Sequence, residues 1–378
     1  NTVKEFLAVL EKRRLGVNFG TLVGHSTIRR SLLGQAIRDL TEGELATLAA
    51  LVRQALAEGA LGLSTGLGYN HARQTPMLEI SRLLDVVKEM GGVYTTHLRN
   101  EREGIVDAVA ETITASEAAG VPTIISHFRP IKGYEQQFAT ALRLIEETSG
   151  LVRFDGYPFD YSMMPVYTLL PEWAQIGTIE TMLATLAEHD QHELFASFSQ
   201  FTGDDLVIAR APGFDYLVGK TLKEYAASQE VTTPEGLLHL MKVTGLRAVL
   251  FHKNINVEVM LRALESEAAF VASNSPSLIE SRNVIENERA AKTFSRFLKY
   301  AESSGKGIEW AVHKVTQEPA QKFKLKDRGV LKEGMIADVA LLSIKDQRAS
   351  HVFVGGAAVV SDGVIQEVYN GIILRHER

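Results

Sequence analysis

Apolar and polar positions alternate between two textures along this chain. Short apolar runs at Val17–His25, Ala60–Leu67, Gly92–Leu98, Pro122–Phe128 and Val152–Pro158 have the length of buried strands. Between them, Thr41–Glu58, Pro76–Met90, Gly104–Ala119 and Tyr134–Thr148 carry apolar residues at helical spacing. Thr41 followed by Glu44 forms a capping-box signature, in which each side chain satisfies a backbone N–H at the helix start. Strands alternating with helices of this length predict βαβ units and a parallel sheet. The pattern breaks from Asp160 to about Val231, where Pro165, Pro171 and Pro212 interrupt it. That stretch is expected to be an insertion over a barrel mouth. The pattern resumes with a helix at Pro234–Val243, a strand at Ala248–Asn254, a helix near Glu258–Glu265 and a strand at Ala269–Ser273.

Beyond helices at about Arg289–Ser303 and Ile308–Lys314 the texture becomes turn-rich, with short strands at Ala337–Leu342, His351–Val354 and Ala357–Val360. Gly355-Gly356 and Asp362-Gly363 are hairpin signals. The expected architecture is α/β. Residues 1–326 form a (β/α)8 TIM barrel, incomplete at its N-terminus and carrying the insertion at about 160–231. Residues 327–378 form a small β segment that needs partner strands from elsewhere. The chain opens at Asn1, without an initiator Met, directly in an amphipathic pattern (Val3, Phe6, Leu7, Leu10), and reads as one whose beginning lies upstream.

Composition narrows the function classes only modestly. At 378 residues, 45% hydrophobic and 23% charged, the chain has the make-up of an ordinary globular protein. A net charge of −6 and the lack of a basic tract give no reason to expect nucleic acid as a partner. No apolar run approaches the length of a transmembrane helix, so no membrane partner is expected. The absence of Cys rules out a disulfide framework, and a cytoplasmic location is the expectation.

Two histidines carry the candidate chemistry. His97 closes the run Gly92–Leu98 and His127 closes Pro122–Phe128, each at the C-terminal end of a predicted strand. A barrel presents its functional groups at that end of its strands. Two imidazoles at adjacent strand ends can converge on one metal ion. For either histidine alone, a buried ring satisfied by backbone is the plainer reading; the pair in matched context points to a metal-dependent hydrolase. His25 and His252 also end apolar runs and are expected to be structural.

Several motifs in order extend this picture. Gly59-Ala60-Leu61-Gly62-Leu63-Ser64-Thr65-Gly66-Leu67-Gly68-Tyr69, Thr96-His97-Leu98-Arg99-Asn100-Glu101 and Ile125-Ser126-His127 resemble the N-acyl-D-amino-acid deacylases of the amidohydrolase superfamily. Leu22–Thr27, Asp155-Gly156-Tyr157-Pro158, Pro319-Ala320, Lys326–Leu331 and Ala337-Asp338-Val339 resemble the same family, so the likeness runs over nearly the whole chain. The resemblance implies hydrolysis of an N-acyl-D-amino acid amide to a carboxylate and a free D-amino acid, through zinc-activated water. It also implies a composite β-sandwich built from both chain ends. One tightly bound Zn2+, with room for a second weaker one, is the expected cofactor, and His97 and His127 match its strand-end ligands. A His-x-His pair and a cysteine that the family carries on earlier strands would lie before Asn1. Tyr69 and Tyr157 match tyrosines of the substrate pocket, and Arg129 matches a basic residue for the substrate carboxylate. Arg99 and Glu101 are expected to orient His97 from behind. The expected partner is a small N-acyl amino acid.

One position departs from the family. Asn274 ends the predicted last barrel strand, where the family has an aspartate expected to take the proton from the activated water and pass it to the leaving amine. An amide oxygen is not basic near neutral pH, and a positioned general base contributes roughly 10²–10⁴-fold. Asn287-Glu288-Arg289 likewise departs from the family's His-Pro-Arg. Two alternatives therefore stand beside the deacylase: a dihydroorotase-like cyclic amide hydrolase, or a catalytically impaired relative that binds a small ligand.

Overall fold

A computed structural model of the chain describes residues 2–376 apart from 35, 70, 149, 276–286, 344 and 347. Strands are numbered in chain order: β1 (Val23–Gly24), β2 (Gly62–Gly66), β3 (Val93–His97), β4 (Thr123–Ile125), β5 (Val152–Gly156), β6 (Ser162–Pro165), β7 (Leu206–Arg210), β8 (Val249–His252), β9 (Ala269–Val271), β10 (Val339–Ser343), β11 (Arg348–Val354), β12 (Ala357–Ser361) and β13 (Val364–Ile365). Six of them form a parallel sheet in the order β1-β2-β3-β4-β5-β9, with a helix following each of β1 to β4. This is barrel-type βαβ topology, as the alternation predicted.

The register of that sheet decides where the chemistry sits. Gly66 pairs with His97, Thr96 with Ile125, Ile125 with Phe154, and Gly156 with Val271, so the strands end level with one another. The β2–β3 pairing depends on Gly62, where an added Cβ would lie 1.9 Å from the Val93 carbonyl oxygen. The helices Met77–Met90 and Ile105–Ala119 each stop at a left-handed glycine, Gly91 and Gly120, which returns the chain directly into β3 and toward β4. Leu83, Leu84 and Val87 of the first helix pack with Leu48, Val52, Leu63 and Tyr94 to bury one side of the sheet. The capping box of Thr41 and Glu44 is present, and the helix it starts spans Glu42–Ala57.

Two expectations need correction. The run Ala248–Asn254 is not a barrel strand: β8 lies between β6 and β7 in a separate antiparallel sheet, so the inserted unit extends past Val231 to His252. The misreading has a plain cause: β8 alternates half-buried and buried residues just as the barrel strand β5 does, and only its pairing partners set it apart. The helix Thr233–Val243 belongs with it, since Leu237, Leu240 and Met241 share a core with Val166, Leu206, Leu222 and Leu250. Val17–His25 is the second case: only Val23 and Gly24 pair with β2, and His25 already opens the helix His25–Leu33.

At the far end of the chain, β10 to β13 form an antiparallel four-stranded sheet. A bridge between Phe19 and Ile373 ties the C-terminal segment to the start of the barrel. Among the described residues, no helix is long and apolar enough to cross a membrane.

Candidate metal centre and anion-binding site

The level ends of β2 to β5 and β9 face the inserted sheet across a cavity of about 1340 Å³. Its lining includes Tyr69, His97, Glu101, His127, Arg129, Asn274 and Arg289.

His97 is the last residue of β3, and its Nδ1 lies 2.9 Å from Nε2 of His127, two residues beyond β4. Two imidazole nitrogens at that separation either share one proton or turn both lone pairs toward a cation. His127 has a left-handed backbone, with φ of 42°, uncommon for a residue with a side chain. Its N–H donates to Asp155 Oδ1 at 2.7 Å, which helps hold the ring turned toward His97. His127 Nδ1 lies 3.2 Å from Glu101 Oε1 and 3.3 Å from Arg129 Nη1; with its proton on Nδ1 the carboxylate accepts it and the Nε2 lone pair is free to ligate. Glu101 also stands 3.9 Å from His97 Nε2 and takes a 2.7 Å hydrogen bond from Arg129 Nη2.

These contacts set the charges. Burial holds the His97 imidazole down to about 4, against the pull of Glu101, so it is neutral at pH 7. Burial pushes the Glu101 carboxyl up, but Arg129, His97 and His127 outweigh it and hold it well below the usual carboxylate range. Desolvation pushes Asp155 up, partly offset by His127. Ligand atoms of His97, Glu101 and His127 all lie within 4.8 Å of one another. Neutral imidazole and carboxylate form a donor set suited to a divalent ion such as zinc, so these residues fit a metal.

The other candidates divide. Tyr69 stacks on the His97 ring at 4.7 Å and is 43% exposed toward the cavity. Tyr157 is buried, its hydroxyl making no hydrogen bond of good geometry, although it lies within electrostatic reach of both Arg129 and Arg289. Asn274 lies three residues past β9, exposed on the cavity wall with φ of 43°. Arg99 does not orient His97. Its guanidinium binds Glu111 and the backbone oxygens of Arg73 and Thr75, clamping the loop before the helix Met77–Met90, because it points away from the strand end. Glu101 faces both rings, 3.2 Å from His127 Nδ1 and 3.9 Å from His97 Nε2. His25 and His252 pair with Glu79 and Asp205, at 2.6 and 3.2 Å.

Sequence reasoning gave Arg289 no role. It sits in the first turn of the helix Glu288–Ser303, only 1% exposed, with Nε and Nη1 unpartnered. Its Cζ lies 4.4 Å from the centre of the Tyr157 ring and 5.5 Å from that of Tyr161. Aromatic faces stabilise a guanidinium without neutralising it, so this charge remains open to an anion. A signal was available: Arg289, Thr293, Phe297 and Ala301 form one buried stripe at helical spacing, and a charge on such a stripe is unusual.

No family profile matches the chain. Among proteins of known activity it is 28% identical to a D-aminoacylase of Alcaligenes xylosoxydans xylosoxydans, over 89% of this chain and 63% of that protein. The chain thus spans less than two thirds of that relative's length. A crystal structure of D-aminoacylase, described as defining a subset of amidohydrolases, superimposes with a TM-score of 0.78 at 26% identity, covering 99% of this chain and 75% of that one. An N-acyl-D-glutamate deacylase from Bordetella bronchiseptica, solved with zinc and a phosphonate inhibitor, shares the fold at a TM-score of 0.78 and 23% identity, with the same coverage of 99% and 75%. With the strand-end histidines and the shared barrel, these likenesses make the chain similar in sequence and fold to the D-aminoacylases among the amidohydrolases.

Proposed function

We propose that this protein is a metal-dependent hydrolase that cleaves the amide bond of N-acyl-D-amino acids, giving a carboxylate and a free D-amino acid. The observation that carries the reading is the joint presence, in one cavity, of the His97–His127–Glu101 group and the Arg289 guanidinium, whose buried Nε and Nη1 have no partner. A substrate with a scissile carbonyl and a carboxylate a few bonds away needs both features.

His97 and His127 would hold the ion, with the Glu101 carboxylate beside both rings to orient them or to add a donor. Bound zinc supplies Lewis acidity to the acyl carbonyl and lowers the pKa of water. Arg289 binds the substrate carboxylate, with Arg129 beside it already neutralised by Glu101. Tyr157 sets its hydroxyl within reach of both arginines, and Tyr69 covers the His97 face of the site. On this reading Asn274 replaces the aspartate that would accept the proton and cannot accept it, so turnover is slow. The same reading treats residues 327–378 as part of a small β domain apart from the barrel, and places the reaction in the cytoplasm.

The test is zinc-dependent release of free amino acid from N-acetyl-D-methionine and from its L-enantiomer. Slow, D-selective, chelator-sensitive release supports the proposal. No metal-dependent release by either the native chain or Asn274→Asp would overturn it.

A further inference from the structure

The inserted sheet is rooted beside the helix that carries Arg289, and the contacts there converge on Tyr161, the residue before β6. Its hydroxyl donates to Asn287 Oδ1 at 2.9 Å, and the same oxygen accepts from the Arg289 backbone N–H at 3.2 Å. Asn287 is the N-cap of the helix Glu288–Ser303. The Tyr161 ring meets Phe159 edge-on at 5.6 Å, and Phe251 of the inserted strand β8 at 5.0 Å. Its own face lies 5.5 Å from Arg289 Cζ, on which Tyr157 also packs.

We infer that Tyr161 and Asn287 are positioning residues that aim the Arg289 guanidinium into the cavity and tie that aim to the seat of the inserted sheet. The inference rests on the reading of Arg289 as the carboxylate-binding group. A guanidinium on a flexible stem whose Nε and Nη1 have no partner is not held in place by those atoms. Two aromatic faces confine it while leaving its charge available, and one of those faces is oriented by the hydroxyl bond to Asn287. Capping alone does not account for this arrangement. The Asn287 side chain would satisfy the helix N–H without Tyr161.

The experiment is calorimetric binding of two ligands to the zinc-loaded full chain. One is the ketomethylene isostere of N-acetyl-D-methionine, which has no amide to hydrolyse. The other is its primary carboxamide, which lacks the negative charge. Tyr161→Phe, which removes one hydrogen bond, is expected to weaken acid binding roughly three- to tenfold and leave carboxamide binding unchanged. Asn287→Ser keeps a capping hydroxyl but shortens the reach to Tyr161, and should weaken the acid to a similar extent. The double variant should be no weaker than the worse single one. Equal weakening of acid and carboxamide would mean a merely structural role, and no weakening of either would mean none; each overturns the inference. Acid binding that is unaffected by Arg289→Met would sink the reading of Arg289 itself. Failure of the native chain to bind either ligand would sink the proposed function, and this inference with it.

Discussion

At the scale of single residues, the balance of charge around the cavity is uneven. Arg129 is matched by Glu101 and Arg99 by Glu111, at 2.7 and 3.1 Å, while the buried Nε and Nη1 of Arg289 have no partner. Burial, with the nearby Arg129 charge, lowers its pKa against the opposing pull of Tyr157 and Tyr161. Replacing it with Met should raise KM for an N-acyl-D-amino acid by roughly 10- to 100-fold, with a smaller fall in kcat, since a hydrogen-bonded charge pair is worth more than a neutral one. Asn274 gives the opposite kind of test. Its left-handed backbone is one that Asp also tolerates, so Asn274→Asp should fold and raise kcat by roughly 10²–10⁴-fold. His97 adds a pH dependence. Its folded pKa is lowered from 6.5 to about 4, so between those values the unfolded chain binds the extra proton. The metal-free protein should therefore lose stability as pH falls from 6.5 toward 4, visible as a falling denaturant midpoint. His97→Gln should flatten that slope.

Elements explain which parts of the fold were legible beforehand. Strands β2 to β5 and their helices are local in origin: apolar runs, a capping box at Thr41 and glycine stops at Gly91 and Gly120 all lie within a few residues of what they control. What local pattern could not decide was sheet membership. The β8 sequence fits a barrel strand equally well, and only its antiparallel pairing with β6 and β7 assigns it to the inserted unit. The site divides in the same way. His97 and His127 announce themselves by ending adjacent strands, whereas the roles of Glu101, Arg99 and Arg289 depend on side-chain directions that no strand pattern encodes. Close strand approach supplies a prediction here. Gly62→Ala would drive a methyl group into the Val93 carbonyl and should cost about 1–3 kcal/mol, read as a lowered urea midpoint with m unchanged.

For the whole molecule, the barrel and the inserted sheet act as two walls of one cavity. The metal-capable histidines stand on the barrel wall, and Met163, Met164 and Tyr167 of the inserted unit stand opposite. Arg73 on a barrel loop and Glu172 on the inserted unit form an ion pair across the gap. A small ligand bound here is enclosed by both, which suits a reaction needing a fixed carbonyl beside a fixed carboxylate. The account stands or falls on the metal, and the most direct test is zinc content by elemental analysis after equilibration with zinc and removal of the excess. One tightly held zinc per chain, lost in both His97→Ala and His127→Ala while the proteins stay folded, is the predicted result. Absence of zinc in the native chain, or its retention in both variants, would contradict the account.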